Sequence, residues 1–191
     1  MACKIELSFE CSYELEVLLE IPPTDIPRFY YPGAVPGGGK DGVIVKVSPQ
    51  RKESWLGTFA FGQIAPKGLT GVFSTPNVNR LCVVAKGNGY LVSAGEPQDW
   101  ESIKAIPIID ARSFPKSGII VFAHFTGLVA YGDNGIRWKT ERLSWDNLKI
   151  ISTTEHEITG EFWDIRSESN QRFVVDLLTG NHSGGINQGI R

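Results

Sequence analysis

Carboxylates and tryptophans are the residues of this chain whose types could combine into a working cleft. Asp146, Glu161, Asp164 and Asp176 fall in the last third of the sequence, near Trp138, Trp145 and Trp163. Two facing carboxyl groups, one held protonated and one ionised, hydrolyse glycosidic bonds, and an indole stacks on a sugar ring. That chemistry needs a separation in space that spacing along the chain does not fix. Asp164 and Asp176 also have the type and placement of turn caps beside strands. The three histidines, His124, His156 and His182, stand in no HxH or HExxH pattern, so no metal is expected. Nothing singles out a Ser-His-Asp or Cys-His arrangement, and neither a GxSxG elbow nor a P-loop occurs. Gly37, Gly39 and Gly42 in "GGGKDG" have the spacing of a dinucleotide fingerprint. A proline-rich stretch precedes them and a valine-rich strand follows, where pyrophosphate binding needs a strand and then a helix N-terminus. No cofactor is expected.

The other candidate is a binding surface. Phe29, Tyr30 and Tyr31 lie within "IPPTDIPRFYYPGAVPGGGKDG", residues 21–42, whose prolines and glycines predict a long irregular loop. Rigid aromatics with polar tips on such a loop suit partner recognition; the competing reading folds the rings back over the core. Together with Trp138 and Trp145 they are the candidate binding residues.

The elements that must hold these residues read as strands. From Ile5 to Leu19 every odd position is apolar, while Glu6, Glu10, Glu14, Glu16 and Glu20 occupy even ones. This period of two predicts one bent strand, or two that keep phase, with a wet acidic face that discourages edge pairing. Strands are also predicted over 43–49, 55–62, up to Trp163 and over 173–178, with one helical turn at 144–150 capped by Ser144. Turns are expected at Asn88-Gly89, Thr126-Gly127, Asn134-Gly135 and Thr179-Gly180.

"LCVVAKGNGYLVSAGEPQDW" (81–100) lies over "IIVFAHFTGLVAYGDNGIRW" (119–138) without a gap, matching Val83 to Val121, Ala85 to Ala123, Gly89 to Gly127 and Trp100 to Trp138. A closing tryptophan at a spacing near 40 residues is the mark of a propeller blade. "LVAYGDNGIRW" and "VVDLLTGNHSGG" resemble the strand-turn-strand and the Asp-x-x-Thr-Gly turn of quinoprotein-type (WD40/PQQ-like) β-propeller repeats. "GVFSTP" and "RLSWD" are similar to stretches of small bacterial proteins. The resemblance implies an all-β fold of antiparallel hairpin repeats in blade-like sheets, as a small or incomplete propeller-like array; a β-sandwich is the alternative. Gly132 stands where the propeller repeat often has aspartate, and the last copy lacks its tryptophan.

At 191 residues the chain is expected to form one all-β domain, with N-terminal strands and loop over 1–54 and blade-like repeats over 55–191. A net charge of -2 favours neither nucleic acid nor an anionic membrane, and no apolar run is long enough to span one. Three cysteines, with no CxxC, point to free thiols in the cytoplasm. The expectation is a non-enzymatic module that binds a protein partner or itself. The alternative is a small carbohydrate-binding protein or hydrolase using carboxylates in a Trp-lined cleft.

Overall fold

The computed structural model describes residues 3–32, 35–36, 41–64 and 68–186. Among them, regular structure is strand throughout, apart from one 3-10 turn at Pro115–Ser117. The chain divides into two compact units, Met1–Lys104 and Ala105–Arg191. The boundary expected at 54/55 does not separate units, because it would cut the hairpin between β5 and β6 described next.

The first unit holds β1 (Lys4–Glu6), β2 (Tyr13–Leu18), β3 (Arg28–Tyr31), β4 (Val35–Pro36), β5 (Gly42–Pro49), β6 (Trp55–Ala60), β7 (Gly71–Ser74), β8 (Arg80–Ala85), β9 (Asn88–Ser93) and β10 (Trp100–Ser102). They form two five-stranded sheets, ordered β2-β5-β6-β3-β4 and β1-β7-β8-β9-β10. The second unit holds β11 (Asp110–Phe114), β12 (Ile119–His124), β13 (Gly127–Gly132), β14 (Gly135–Lys139), β15 (Lys149–Thr153), β16 (Glu157–Asp164), β17 (Ser169–Asp176) and β18 (His182–Gly184). These form two four-stranded sheets in plain chain order. Three of the four sheets therefore contain four consecutive antiparallel strands, the blade-like hairpin repeat expected from the sequence.

Each unit closes one core between its two sheets. In the first, inward Val43, Val45 and Val47 of β5 meet Leu81, Val83, Tyr90 and Val92 of β8 and β9. In the second, Val121, Leu128 and Ala130 meet Ile158, Phe173 and Val175. The alternation along each strand decides which residues enter.

The repeat is deeper than the two aligned stretches. Trp55 sits opposite Val47, Trp100 opposite Val92 and Trp138 opposite Ala130, each eight residues after its cross-strand partner. Two of these indoles reach into the other sheet of their own unit. Trp55 Nε1 donates to the Ala94 carbonyl at 2.7 Å, and Trp138 Nε1 to the Leu177 carbonyl at 2.9 Å, both across 39 residues of chain. Tyrosines add to this in the first unit. The Tyr13 hydroxyl donates to Arg80, Tyr31 to Pro97 and Tyr90 to Ala60, all backbone carbonyls of the facing sheet or its loops. Gly180, with φ of +76°, lets its turn lie against the Trp138 ring, since a Cβ there would stand 2.7 Å from it.

Several expectations change. The N-terminal alternation belongs to two strands in different sheets: β1 joins β7 in parallel, and β2 joins β5 antiparallel. The link between them breaks the phase, so Ile5 and Leu7 face solvent while Tyr13, Leu15 and Val17 point to the core. Glu14 and Glu16 are exposed on β2, an edge strand. The β8–β9 turn is Lys86-Gly87, with φ of 48° and 87°, and Asn88 opens β9 opposite Ala85. The nearby loop selects it: Lys86 N–H donates to Thr70 Oγ1 and Gly87 N–H to the Leu69 carbonyl. In the matching hairpin His124 pairs with Gly127, so the turn is Phe125-Thr126. Gly132 pairs with Gly135, so that turn is Asp133-Asn134. No helix forms at 144–150.

Trp55→Phe and Trp138→Phe keep an aromatic ring but remove the N–H that answers a buried carbonyl. Each is expected to lower unfolding free energy by about 1–3 kcal/mol, read from the denaturant midpoint. Exposed Trp163→Phe should stay within about 0.5 kcal/mol; equal effects at all three positions would contradict the bridging role.

Candidate functional site

Of the candidate binding residues, Phe29, Tyr31 and Trp138 are core. Phe29 to Tyr31 is strand β3, not loop, paired in parallel with β6. Its alternation sends Phe29 and Tyr31 inward and leaves Tyr30 half-buried. Tyr31 stacks on Phe59 with centroids 4.6 Å apart, Phe29 meets the Trp55 edge at 5.8 Å, and Trp138 is 7% exposed. Burial drives the Tyr31 hydroxyl well above its usual range, as it does for Tyr13. These rings hold the fold and offer no surface to a partner.

Trp145 is the candidate that faces solvent, at 51% exposure. The sequence "LSWDNL" explains how. Leu143 and Leu148 are buried anchors, and between them the buried Ser144 Oγ accepts the Asp146 N–H at 3.1 Å and donates to its carbonyl. Asn147, at φ of 56°, completes a turn tight enough to push Trp145 outward. Arg142 donates from Nε to the Ser144 carbonyl at 3.1 Å, and its guanidinium lies 4.3 Å from the Trp145 ring centre, a cation–π contact.

Trp145 lines a cleft of about 400 Å³ in the second unit, with Phe162 beside it and Asp164, Arg166, Gln171 and Arg172 around it. The β16–β17 turn fixes this rim. Asp164 accepts the N–H groups of Arg166 at 3.3 Å and Ser167 at 3.1 Å, and the Ser167 hydroxyl at 2.8 Å. Those bonds, the Ser167 hydroxyl first, hold its carboxyl below the usual range. Gln171 Nε2 donates to Ser169 at 2.9 Å and Ser167 at 3.2 Å. Arg172 sits across from Glu161 and approaches it at 3.5 Å, while its side chain stays 74% exposed. Trp163 and Ile165, 46% and 66% exposed, lie at the same hairpin end. Their placement was legible in part: Phe162 points in, so its neighbour Trp163 must point out. Nothing in the sequence marked Arg142, Arg166 or Arg172.

Each of the four carboxylates has a partner of its own. Asp146 accepts the Asn147 N–H in its own turn, Glu161 is on a strand facing Arg172, Asp164 caps one turn and Asp176 another, through Thr179 N–H and hydroxyl. A glycosidase acid needs its pKa raised, whereas Asp164 and Asp176 are both held low by hydrogen bonds. No group of three or more metal-ligating side chains is found among the described residues. Gly37 and Gly39 of the glycine cluster lie outside those residues, and Gly42 opens strand β5 rather than a helix.

Two further clefts are formed by described residues. One of about 460 Å³ in the first unit is ringed by Ser12, Gln50, Arg51, Lys52 and Asn79, and its Lys52 pairs with Glu96 at 3.2 Å. One of about 300 Å³ in the second lies beside His124, Thr126, Thr140 and Arg142. His124 Nδ1 is 3.3 Å from Thr126 Oγ1.

No known family and no curated protein matches the chain. Among solved structures it is similar to the crystal structure of the N-terminal domain of Nup159, at 12% identity and a TM-score of 0.40. The match covers 97% of this chain and 53% of that one, so the chain spans about half that structure's length. So loose a likeness assigns neither topology nor function.

Burial, then the Lys139 charge, holds His124 below its ordinary 6.5. A base depressed in the folded state takes up its proton on unfolding, so its stabilisation is complete above 6.5 and is lost as pH falls through the folded value. Asp164 and Asp176, shifted down, give up theirs only as pH drops below 3.8. The denaturation midpoint is expected to fall between pH 7 and 5, and His124→Gln to flatten that slope. Parallel profiles for the two proteins would contradict it.

Proposed function

We propose that the chain is a non-enzymatic interaction module and that its second unit carries the docking surface. One observation supports this above the rest. At one end of the β15–β18 sheet, Trp145 is held out to solvent in a cleft that Arg166 and Arg172 also line, with Arg142 against its ring. Tryptophan and arginine are the side chains that dominate binding energy at protein interfaces. The indole is also fixed by a turn whose serine is buried, so little ordering cost attends contact.

The groups a hydrolase would use have other partners: the carboxylates cap turns or face an arginine, and His124 sits beside Thr126. A sugar site would need Asp164 and the Gln171 amide nitrogen, and both are engaged within the β16–β17 turn. No helix among the described residues is long and apolar enough to cross a membrane. The three cysteines are free thiols, in keeping with a cytoplasmic setting.

The experiment is affinity capture from the cells that make the protein, with the full chain and a Trp145→Ala/Arg166→Glu variant immobilised in parallel. A defined set of proteins captured by the first and lost from the second is expected. Identical sets, with the variant shown to unfold at an unchanged denaturant midpoint, would overturn the docking surface.

A further inference from the structure

We infer that Asn134 is a modification site: in the β13–β14 turn it converts, without an enzyme, to aspartate and to β-linked isoaspartate through a cyclic imide formed with Gly135. The sequence holds two Asn-Gly pairs, Asn88-Gly89 and Asn134-Gly135, and they sit in opposite settings. An asparagine is vulnerable when the backbone nitrogen after it can swing onto its Cγ. Glycine allows this best, having no Cβ to crowd the approach and the widest range of φ. In the step itself the Gly135 nitrogen loses its proton to hydroxide and attacks Asn134 Cγ. The N–Cγ bond forms, the Cγ–Nδ2 bond breaks, and Nδ2 leaves as ammonia with a proton from water. Water then opens the imide at either carbonyl. The balance is one water consumed and one ammonia released, with no change of oxidation state.

Asn134 is exposed, in the two-residue turn it makes with Asp133. Gly135 has φ of +100°, and a Cβ there would meet nothing within 4 Å beyond its chain neighbours. Gly135 opens β14, which pairs within its sheet with β13 alone. Residues 132–137 are all exposed or half-buried, so opening this hairpin tip uncovers no core. Asn88 is the reverse case. Its side chain is hydrogen-bonded to the Tyr90 hydroxyl, which in turn donates to the Ala60 carbonyl. Gly89 is buried and pairs with Val84, and its carbonyl accepts the Ile103 N–H at 2.9 Å. Swinging the Gly89 nitrogen onto Asn88 would pull β9 from β8 and from the segment after β10. The product at Asn134 adds one negative charge beside Asp133 to a chain whose net charge is -2. Its β-linked form also lengthens, by one methylene, the turn that sets β14 and Trp138 against β13.

The test keeps the full chain at body temperature in mildly alkaline buffer and samples it over weeks. Trypsin then isolates Asn134 in residues 117–137 and Asn88 in residues 87–104. Mass spectrometry reads the exchange of an amide NH2 for OH in each peptide, and chromatography separates aspartate from isoaspartate. Asn134 is expected to convert roughly tenfold or more faster than Asn88, a ratio set by the extra cost of opening β9. Both products should form, and the rate should rise with pH because the attacking nitrogen must be deprotonated. In denaturant the two asparagines should convert at comparable rates. An unchanged Asn134, or one converting no faster than Asn88 in the folded chain, overturns the proposal. So does a gap that persists in denaturant, since the fold is then not its cause. Aspartate at position 134 without isoaspartate would mean direct hydrolysis and overturn the route through Gly135.

Discussion

A buried carbonyl that faces another sheet must find a donor, and in this chain the donors are the tips of aromatic side chains. Sheet ladders satisfy backbone groups within a sheet but not at the seams where strands end and loops cross. Trp55, Trp138, Tyr13, Tyr31 and Tyr90 each send one N–H or O–H across to a carbonyl of the facing sheet or its loops. The ring supplies apolar area and the tip fixes direction, so each pair of sheets is held at one spacing and one register. Without that constraint, two small sheets over one apolar layer would have many near-equivalent packings.

The same economy explains why the second unit can display apolar groups at all. Trp138 ties β14 to the turn after β17, Leu143 and Leu148 anchor the connection between its sheets, and Ile186 N–H donates to the Leu143 carbonyl. A short segment so tightly held can afford an outward tryptophan. The adjoining β16–β17 turn is stiffened by its own Asp164–Ser167–Gln171 bonds, and Arg166 is carried on it. The polar chemistry that looks catalytic in sequence is largely the carpentry of these two turns.

Much of the fold was legible because period-two alternation and turn residues are local signals. β5, β6, β16 and the Thr179-Gly180 turn follow from them directly. What escaped was set by distant partners. Phe29 to Tyr31 reads as loop because prolines surround it, yet β6 offers an open edge and the core offers Phe59 and Trp55. The Lys86-Gly87 turn displaces the favoured Asn-Gly pair because Leu69 and Thr70 bind it. The site was legible only in Trp145, since Arg166 and Arg172 reach the cleft from the β16–β17 turn and from β17, which composition does not reveal.

The most direct test is hydrogen exchange at the five indole N–H groups, resolved by ¹⁵N spectroscopy on the full chain. The Trp55 and Trp138 indoles should be strongly protected, losing their protons only through opening of the sheet pair, while those of Trp145 and Trp163 exchange at once. A Trp138 indole exchanging as fast as that of Trp145 would contradict both the sheet-bridging bond and the separation of core from surface tryptophans on which the interaction surface rests.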